Sequence, residues 1–445
     1  MTKQRSPVWL LFLLIAAMLA APAAAAAEIQ YLAWGSEQNL AAHERMAKVW
    51  LEKYGDTGIT IDARVAPWEG YHDSLYVMAA AGVLPDIVVV SSSYWPDMAA
   101  QGFFLDIEPF IERDSDFDVN ELPPNILENM RVRGHIYALP QSALAPSGAM
   151  VNFNLDMLDA AGLVLPPFDW TWDDYLDYAR KLTRSRSGSE IDQWGSNLGK
   201  STWEAGWAML IGSNGGHIVD PQGGPIIMPV LDPTRLRVNT PVFAEGFQFL
   251  NDLVDVYNVS VPSSIRNPFD AGVLAMETTW SGTLRNRLLM DDKRVGGATS
   301  PRGSAGHHGI YPSVGIPHVM AISAQTKDPE AAWAALKFIF QDEDALRARG
   351  LDGSHSISTR SLLPVYEQLL DPRQRPWLEI GFYYIENTPA VGNELHRTVP
   401  AQVLEPLREE IQKAYNGEQD IRSALENAER QMAAIMRDLA AAQAR

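Results

Sequence analysis

The sequence predicts an α/β protein with more than one domain, and three observations carry that reading. Apolar residues alternate between a period of two and a period of 3.6 along the first hundred positions. Ile87-Val88-Val89-Val90 is an unbroken β-branched run, the pattern of a strand buried on both faces. The chain has 445 residues, more than one hydrophobic core usually supports.

Ile29 to Trp34 alternates and is predicted as a strand, and Leu40 to Lys53 follows as a helix with Met46, Val49 and Trp50 at helical spacing. Ile59 to Val65 makes a second strand. Tyr71 to Ala81 is a helix stopped by Gly82, and Pro85-Asp86 leads into Ile87–Val90. The order β-α-β-α-β implies a largely parallel sheet covered by helices. A short helix at Asp97 to Gln101, a turn and strand over Gly134 to Pro140, and a strand over Ala149 to Asn154 come next. Trp172 to Leu182 is amphipathic, with Asp173 and Asp174 at the helix start, where the dipole favours acids. Thr183 to Gln193 reads as a surface loop. Helices follow at Val242 to Val256, Glu330 to Phe340 and Ile421 to Leu439.

The N-terminus carries Lys3 and Arg5, an apolar run from Val8 to Ala20, and an alanine tract ending near Ala27, the order of a secretory signal peptide over residues 1–27. No later stretch has the roughly 20 apolar residues of a membrane span. There is no Cys, which removes a lipid-modified cysteine, disulfides and thiolate metal sites; a freely diffusing periplasmic protein is expected. Without Lys3 and Arg5, 34 basic residues face 55 acidic ones, a formal charge of −21, which disfavours nucleic acid and anionic lipid as partners. Twelve Trp remain beyond the signal segment, side chains suited to the apolar face of a sugar ring and equally to a core.

Fragments in fixed order resemble the extracellular solute-binding proteins of carbohydrate ABC transporters, the group that includes maltose-binding protein. These are Ala81-Gly82-Val83-Leu84-Pro85-Asp86-Ile87-Val88, Gly102-Phe103-Phe104-Leu105-Asp106-Ile107, Gly134-His135-Ile136-Tyr137-Ala138-Leu139-Pro140, Val151 to Leu163, Trp170-Thr171-Trp172-Asp173-Asp174, Phe269 to Met276 and Ile322 to Phe340. The resemblance implies a two-lobed periplasmic binding protein fold, with interlobe crossing strands and a ligand cleft. Crossings are expected at Gly134–Pro140, at Phe269–Met276 and before Ile322. Lobe one would comprise 28–139 and 278–320, and lobe two 140–277 and 321–445. The implied function is non-covalent capture of a neutral sugar or oligosaccharide for membrane permease subunits of an ABC importer, by a monomer with neither cofactor nor metal.

Ligands of open α/β sheets sit at the carboxyl ends of strands, and the loops there supply the candidate ligand contacts. Trp34, Ser36 and Glu37 follow the first strand, Trp68 the second, and Ser93 and Trp95 the third. Gln141 and Ser147 follow the first expected crossing. Trp203 and Trp207 share a helix face, and Trp280 follows the second expected crossing. Gly315 and His318 precede the third, and Ser356 lies in a later polar loop. Aromatics would stack on sugar rings and the polar groups would bond hydroxyls. Each has a plainer reading: Ser36 as a helix cap, the Ser93 loop as turn formers, Trp68 as surface packing and Trp207 as core.

Two alternatives compete. A polyol or glycerol phosphate in the same fold would call for cleft-facing cations in the phosphate case, for which Arg64 and Arg360 are the candidates. An exported carbohydrate-active enzyme would need two carboxyls at a defined separation. The chain has no Gly-x-Ser-x-Gly elbow, P-loop lysine or His-Glu-x-x-His, and His307-His308 among Gly and Ser reads as a loop; no enzyme activity is expected.

Overall fold

The computed structural model describes residues 27–92, 94–141, 149–185, 190–201, 204–222, 226, 228–304, 318–350, 359–387 and 398–443; of the expected signal segment only Ala27 is among them. The opening alternation forms β1 (Ala27–Trp34), α1 (Glu37–Tyr54), β2 (Ile59–Ala66), α2 (Tyr71–Ala81), β3 (Ile87–Val90) and α3 (Trp95–Ala100). Next come α4 (Glu108–Arg113), a hairpin of β4 (Arg131–Val132) and β5 (His135–Ile136), and β6 (Ala138–Pro140). The chain continues through β7 (Ala149–Asn154), α5 (Trp172–Leu182), α6 (Glu204–Ser213), α7 (Pro241–Asp255), β8 (Met276–Trp280), α8 (Ser281–Arg287) and β9 (Val295–Thr299). It ends with β10 (Val319–Ile322), α9 (Pro329–Gln341), α10 (Glu343–Arg349), α11 (Leu363–Leu369), α12 (Arg375–Asn387), α13 (Ala401–Tyr415) and α14 (Ile421–Gln443).

The first sheet has the order β2-β1-β3-β10-β6. β1 pairs parallel with β2 and β3, while β10 runs antiparallel to both β3 and β6. The expected largely parallel sheet is therefore mixed, because β10 arrives from more than two hundred residues downstream, where local periodicity carries no information on direction. All four residues of β3 are buried, as its β-branched run predicts. Tyr71 locks α2 onto this sheet, its hydroxyl donating within 3.1 Å of Leu32 O and 2.9 Å of Val89 O. Burial holds that phenol's pKa well above its ordinary value.

The second sheet is antiparallel, ordered β8-β7-β9. Val151 and Phe153 of β7 point into a second apolar core with Tyr175, Trp207, Phe243 and the α13–α14 pair. The other face lies under α8 and α12: a Cβ on Gly297 would meet Leu284 Cδ2 at 2.4 Å and Ile380 Cδ1 at 3.2 Å. α5 starts on the expected acidic turn, and Asp174 also closes a capping box, with Asp174 N donating to Thr171 Oγ1 at 3.2 Å and Thr171 N to Asp174 Oδ2 at 2.9 Å.

The cores divide the chain otherwise than expected. Within residues 276–299, β8 and β9 pair with β7 in the second sheet, Met276 and Ala298 lie in the second core, and Leu284 and Leu288 of the connecting stretch pack in the first. Conversely β10, α9 and α10 pack in the first core, through Ile322, Trp333, Leu336, Phe340 and Leu346. The reason is pairing: Val319–Ile322 completes the first sheet between β3 and β6, and the helices that follow cover it. Residues 398–443 return to the second core. Of the loop expected over Thr183 to Gln193, the ends pair with each other, Arg184 N donating to Gln193 O at 2.9 Å, and Gln193 is buried.

Candidate functional site

Five strands deliver their end residues to one edge of the first sheet. Trp34 closes β1, Trp68 follows β2, and Ser91 and Ser92 follow β3. Because β10 is antiparallel, with Val319 opposite Val90 and Pro140, His318 and Gln141 come to the same edge. Gly70 makes the turn that presents Trp68: at φ +73°, a left-handed conformation that glycine takes without a Cβ penalty, it lets Tyr71 N reach Trp68 O at 3.2 Å and start α2.

The rings at this edge form one cluster. Trp34 meets Trp68 edge-on at 5.2 Å and His318 edge-on at 5.3 Å, and lies 5.7 Å from His72. His72 stacks on Tyr94 with centroids 4.2 Å apart and planes 8° from parallel. Trp68 is 51% exposed, an open apolar surface beside the buried His72 and the half-buried Trp34 and His318.

Successive backbone amides fix the two imidazoles. Ser91 N donates to His72 Nε2 at 3.1 Å, and Ser92 N donates to His318 Nδ1 at 3.1 Å. A ring nitrogen that accepts carries no proton, so His72 holds its proton on Nδ1 and His318 on Nε2. Burial, reinforced by the neighbouring His318 and opposed by Asp73, lowers the His72 pKa to about 4. The Gln141 amide donates to His318 O at 2.7 Å, tying the first crossing to this edge. Behind the cluster Ser91 Oγ and Trp95 Nε1 are buried without a hydrogen-bond partner among the described residues.

The edge contains neither Arg nor Lys among Trp34, Trp68, His72, Ser91, Ser92, Tyr94, Gln141 and His318. Arg64 is turned to solvent and paired with Asp62 at 2.6 Å, and Arg360 is exposed outside the cluster.

The sequence candidates separate clearly. Trp34, Trp68, Gln141 and His318 converge here. Ser36 is the residue before α1, where its N–H and hydroxyl both donate to Asn39 Oδ1, at 2.7 and 2.9 Å, and Glu37 is exposed in the first turn. Trp95 and Trp207 are core residues, 0% and 1% exposed. Trp95 is the first residue of α3 turned inward, and Trp207 packs on Phe247 at 5.6 Å, so neither offers a face to a ligand. The backbone of Trp280 ends β8 opposite Ala149, next to the first crossing. Ser93, Ser147, Trp203, Gly315 and Ser356, the Trp280 side chain and the His307-His308 pair lie outside the described residues.

His72 and Tyr94 were not among the candidates. Its place in the first turn of α2 hides His72 from strand-end reasoning, although the aromatic-histidine run Trp68 to His72 is visible in the sequence. The second core has its own cavity of about 690 Å³, floored by Trp172 stacked on Phe249 at 5.1 Å. All its lining comes from the second unit, so it is separate from the aromatic edge.

Among known proteins, residues 35–346 match the family model described as bacterial extracellular solute-binding protein. A Brucella abortus protein described only as a binding protein is 24% identical over 296 residues, 64% of this chain and 66% of that protein's length, just under two thirds. The mannitol-binding protein of Pseudomonas aeruginosa is 26% identical over 202 residues, covering 44% of this chain and 43% of its own. In fold, the chain is similar to the cyclic alpha-maltosyl-1,6-maltose binding protein of Arthrobacter globiformis, with TM-score 0.69, 19% identity, and coverage of 92% of this chain and 99% of that one. That fold is the two-lobed arrangement with strands crossing between lobes. With its family model spanning most of its length, this chain belongs to the bacterial extracellular solute-binding protein family.

Proposed function

We propose that this protein captures a neutral saccharide non-covalently between its lobes and delivers it, unchanged, to the permease subunits of an ABC importer. The observation that carries the reading is the edge at Trp34, Trp68, His72 and His318: an exposed indole backed by aromatic rings, flanked by neutral imidazoles and amides, with no cation in the set. Such a surface suits a ring with an apolar face and hydroxyl edges, and gives a phosphate nothing to pair with. The Arthrobacter neighbour, a binder of a cyclic maltosyl-maltose by its description, supports the saccharide class.

Trp280, at the end of β8 beside the first crossing, is the natural aromatic from the opposite lobe. The eight-residue step from Gln141 to Ala149 spans at most about 29 Å, which keeps the two edges near each other. Contacts from both lobes would favour the closed arrangement. The signal-like N-terminus and the absence of cysteine support a freely diffusing form working in the periplasm, and the family resemblance implies a monomer. A second reading, capture of a polyol, draws on the mannitol-binding relative.

Titration of the purified protein with maltose, longer malto-oligosaccharides, mannitol and glycerol 3-phosphate, followed by tryptophan fluorescence and calorimetry, tests both readings. Saturable binding of an unmodified saccharide is expected. Binding confined to mannitol would move the assignment to polyols; binding confined to glycerol 3-phosphate, or turnover of any ligand, would overturn it.

A further inference from the structure

A site apart from the aromatic edge emerges where the β4–β5 hairpin meets the start of α4. Asp106, Glu108 and His135 bring one ligand atom each to within 4.8 Å of one another. His135 Nδ1 lies 3.0 Å from Asp106 Oδ2 and 3.7 Å from Glu108 Oε2. Two donors bound about 2.1 Å from one ion are roughly 3.0–3.4 Å apart; the Asp106–His135 pair already stands at that spacing, and Glu108 Oε2 lies a few tenths of an ångström farther from the imidazole.

What distinguishes the trio from a chance surface pair is that its other polar atoms are already engaged. Asp106 Oδ1 accepts from Glu108 N at 3.0 Å, leaving Oδ2 to face the imidazole. Glu108 Oε1 accepts from Arg131 Nη1 at 2.7 Å, leaving Oε2 turned the same way. Arg131 also donates to Gly134 O at 2.8 Å, bracing the tight turn in which Arg133 and Gly134 both have positive φ. The backbones are joined as well, Ile107 N donating to Ile136 O at 2.9 Å. This is the outer-shell orientation that metal-ligating carboxylates depend on.

We propose that Asp106, Glu108 and His135 form a binding site for a divalent cation of the Zn²⁺ or Mn²⁺ kind, with one imidazole and two carboxylates on one face of the ion and solvent on the other. Mixed nitrogen and oxygen donors select such ions over Ca²⁺ and Mg²⁺, which take oxygen alone. Arg131 offsets one carboxylate, so the set with neutral imidazole carries a single negative charge and binding is moderate. The bound ion would pin the hairpin to α4 at the start of the Gly134–Pro140 stretch, just ahead of β6. Sequence spacing hides the trio, since His135 stands 27 positions beyond Glu108.

Calorimetric titration of the chelator-treated protein with ZnCl₂ at pH 7.5, and Co²⁺ visible absorption as a second readout, test the proposal. One equivalent of saturable binding is expected, weakened at least tenfold by His135→Ala and by Asp106→Asn, and unchanged by the double substitution His307→Ala/His308→Ala. Both tested side chains are on the surface, so these variants fold, which an unchanged thermal midpoint without metal verifies. Absence of saturable binding up to millimolar Zn²⁺, or binding that follows the His307-His308 pair instead of His135, would overturn it; the trio would then be an ion pair only.

Discussion

Trp68→Ala separates a ligand platform from a packing residue because the structure assigns the two roles different magnitudes. Trp68 is 51% exposed and touches Trp34 and His72 only edge-on, at 5.2 and 5.1 Å. Removing it from the free protein forfeits two edge contacts worth about 0.5–1.5 kcal/mol each beyond area and opens no enclosed cavity, so the thermal midpoint should fall only slightly. A sugar laid on the open face would cover roughly 100 Å² of apolar surface, which at about 25 cal/mol per Å² is about 2.5 kcal/mol, or roughly 60-fold in Kd. Ordering of the ligand takes part of that, so a loss of ten- to sixty-fold is the expected range. The assay is calorimetric titration of parent and variant with the best saccharide, beside thermal unfolding without ligand. A Kd within threefold of the parent would refute the stacking argument, and a large drop in the ligand-free midpoint would show that Trp68 is structural.

Two further outcomes follow from the same structure. His72 has a folded-state pKa of about 4 against about 6.5 unfolded. Below 6.5 the unfolded chain therefore binds more protons than the folded one. The stability that a neutral His72 contributes is complete above about pH 6.5 and is lost as pH falls toward 4, on the order of 2 kcal/mol in all; His72→Gln should flatten this part of the pH profile of the thermal midpoint, and an unaltered profile would contradict the assignment. Gly195→Ala is expected to cost about 3 kcal/mol or to abolish folding. A Cβ there would meet Ala179 O at 2.0 Å and Ala179 C at 2.7 Å, both backbone atoms of α5; a variant with the parent's thermal midpoint would disprove that close approach.

The aromatic edge also accounts for which residues were legible from sequence. Trp34, Trp68, Gln141 and His318 could be named because each follows or precedes a strand whose signal is local. Trp95 and Trp207 had equally suggestive neighbours, yet their rings turn inward: a helix start or a helical pair fixes the backbone, while the side chain's direction depends on what packs beside it. His72 entered the site through its bond from Ser91 N and its stacking on Tyr94, contacts with residues 19 and 22 positions further along the chain.

By itself the sequence determined the alternating elements through β3, the α5 helix with its acidic start, the acidic cysteine-free character and the resemblance that the family match bears out. Periodicity, capping residues and β-branched runs are local, and local physics decides them. Only the tertiary structure decided that β10 slots antiparallel between β3 and β6, that 276–299 completes the second sheet, and that Asp106, Glu108 and His135 face one another. Those are pairings between segments distant in the chain, chosen by which apolar faces and backbone edges remain to be covered once the local elements have formed.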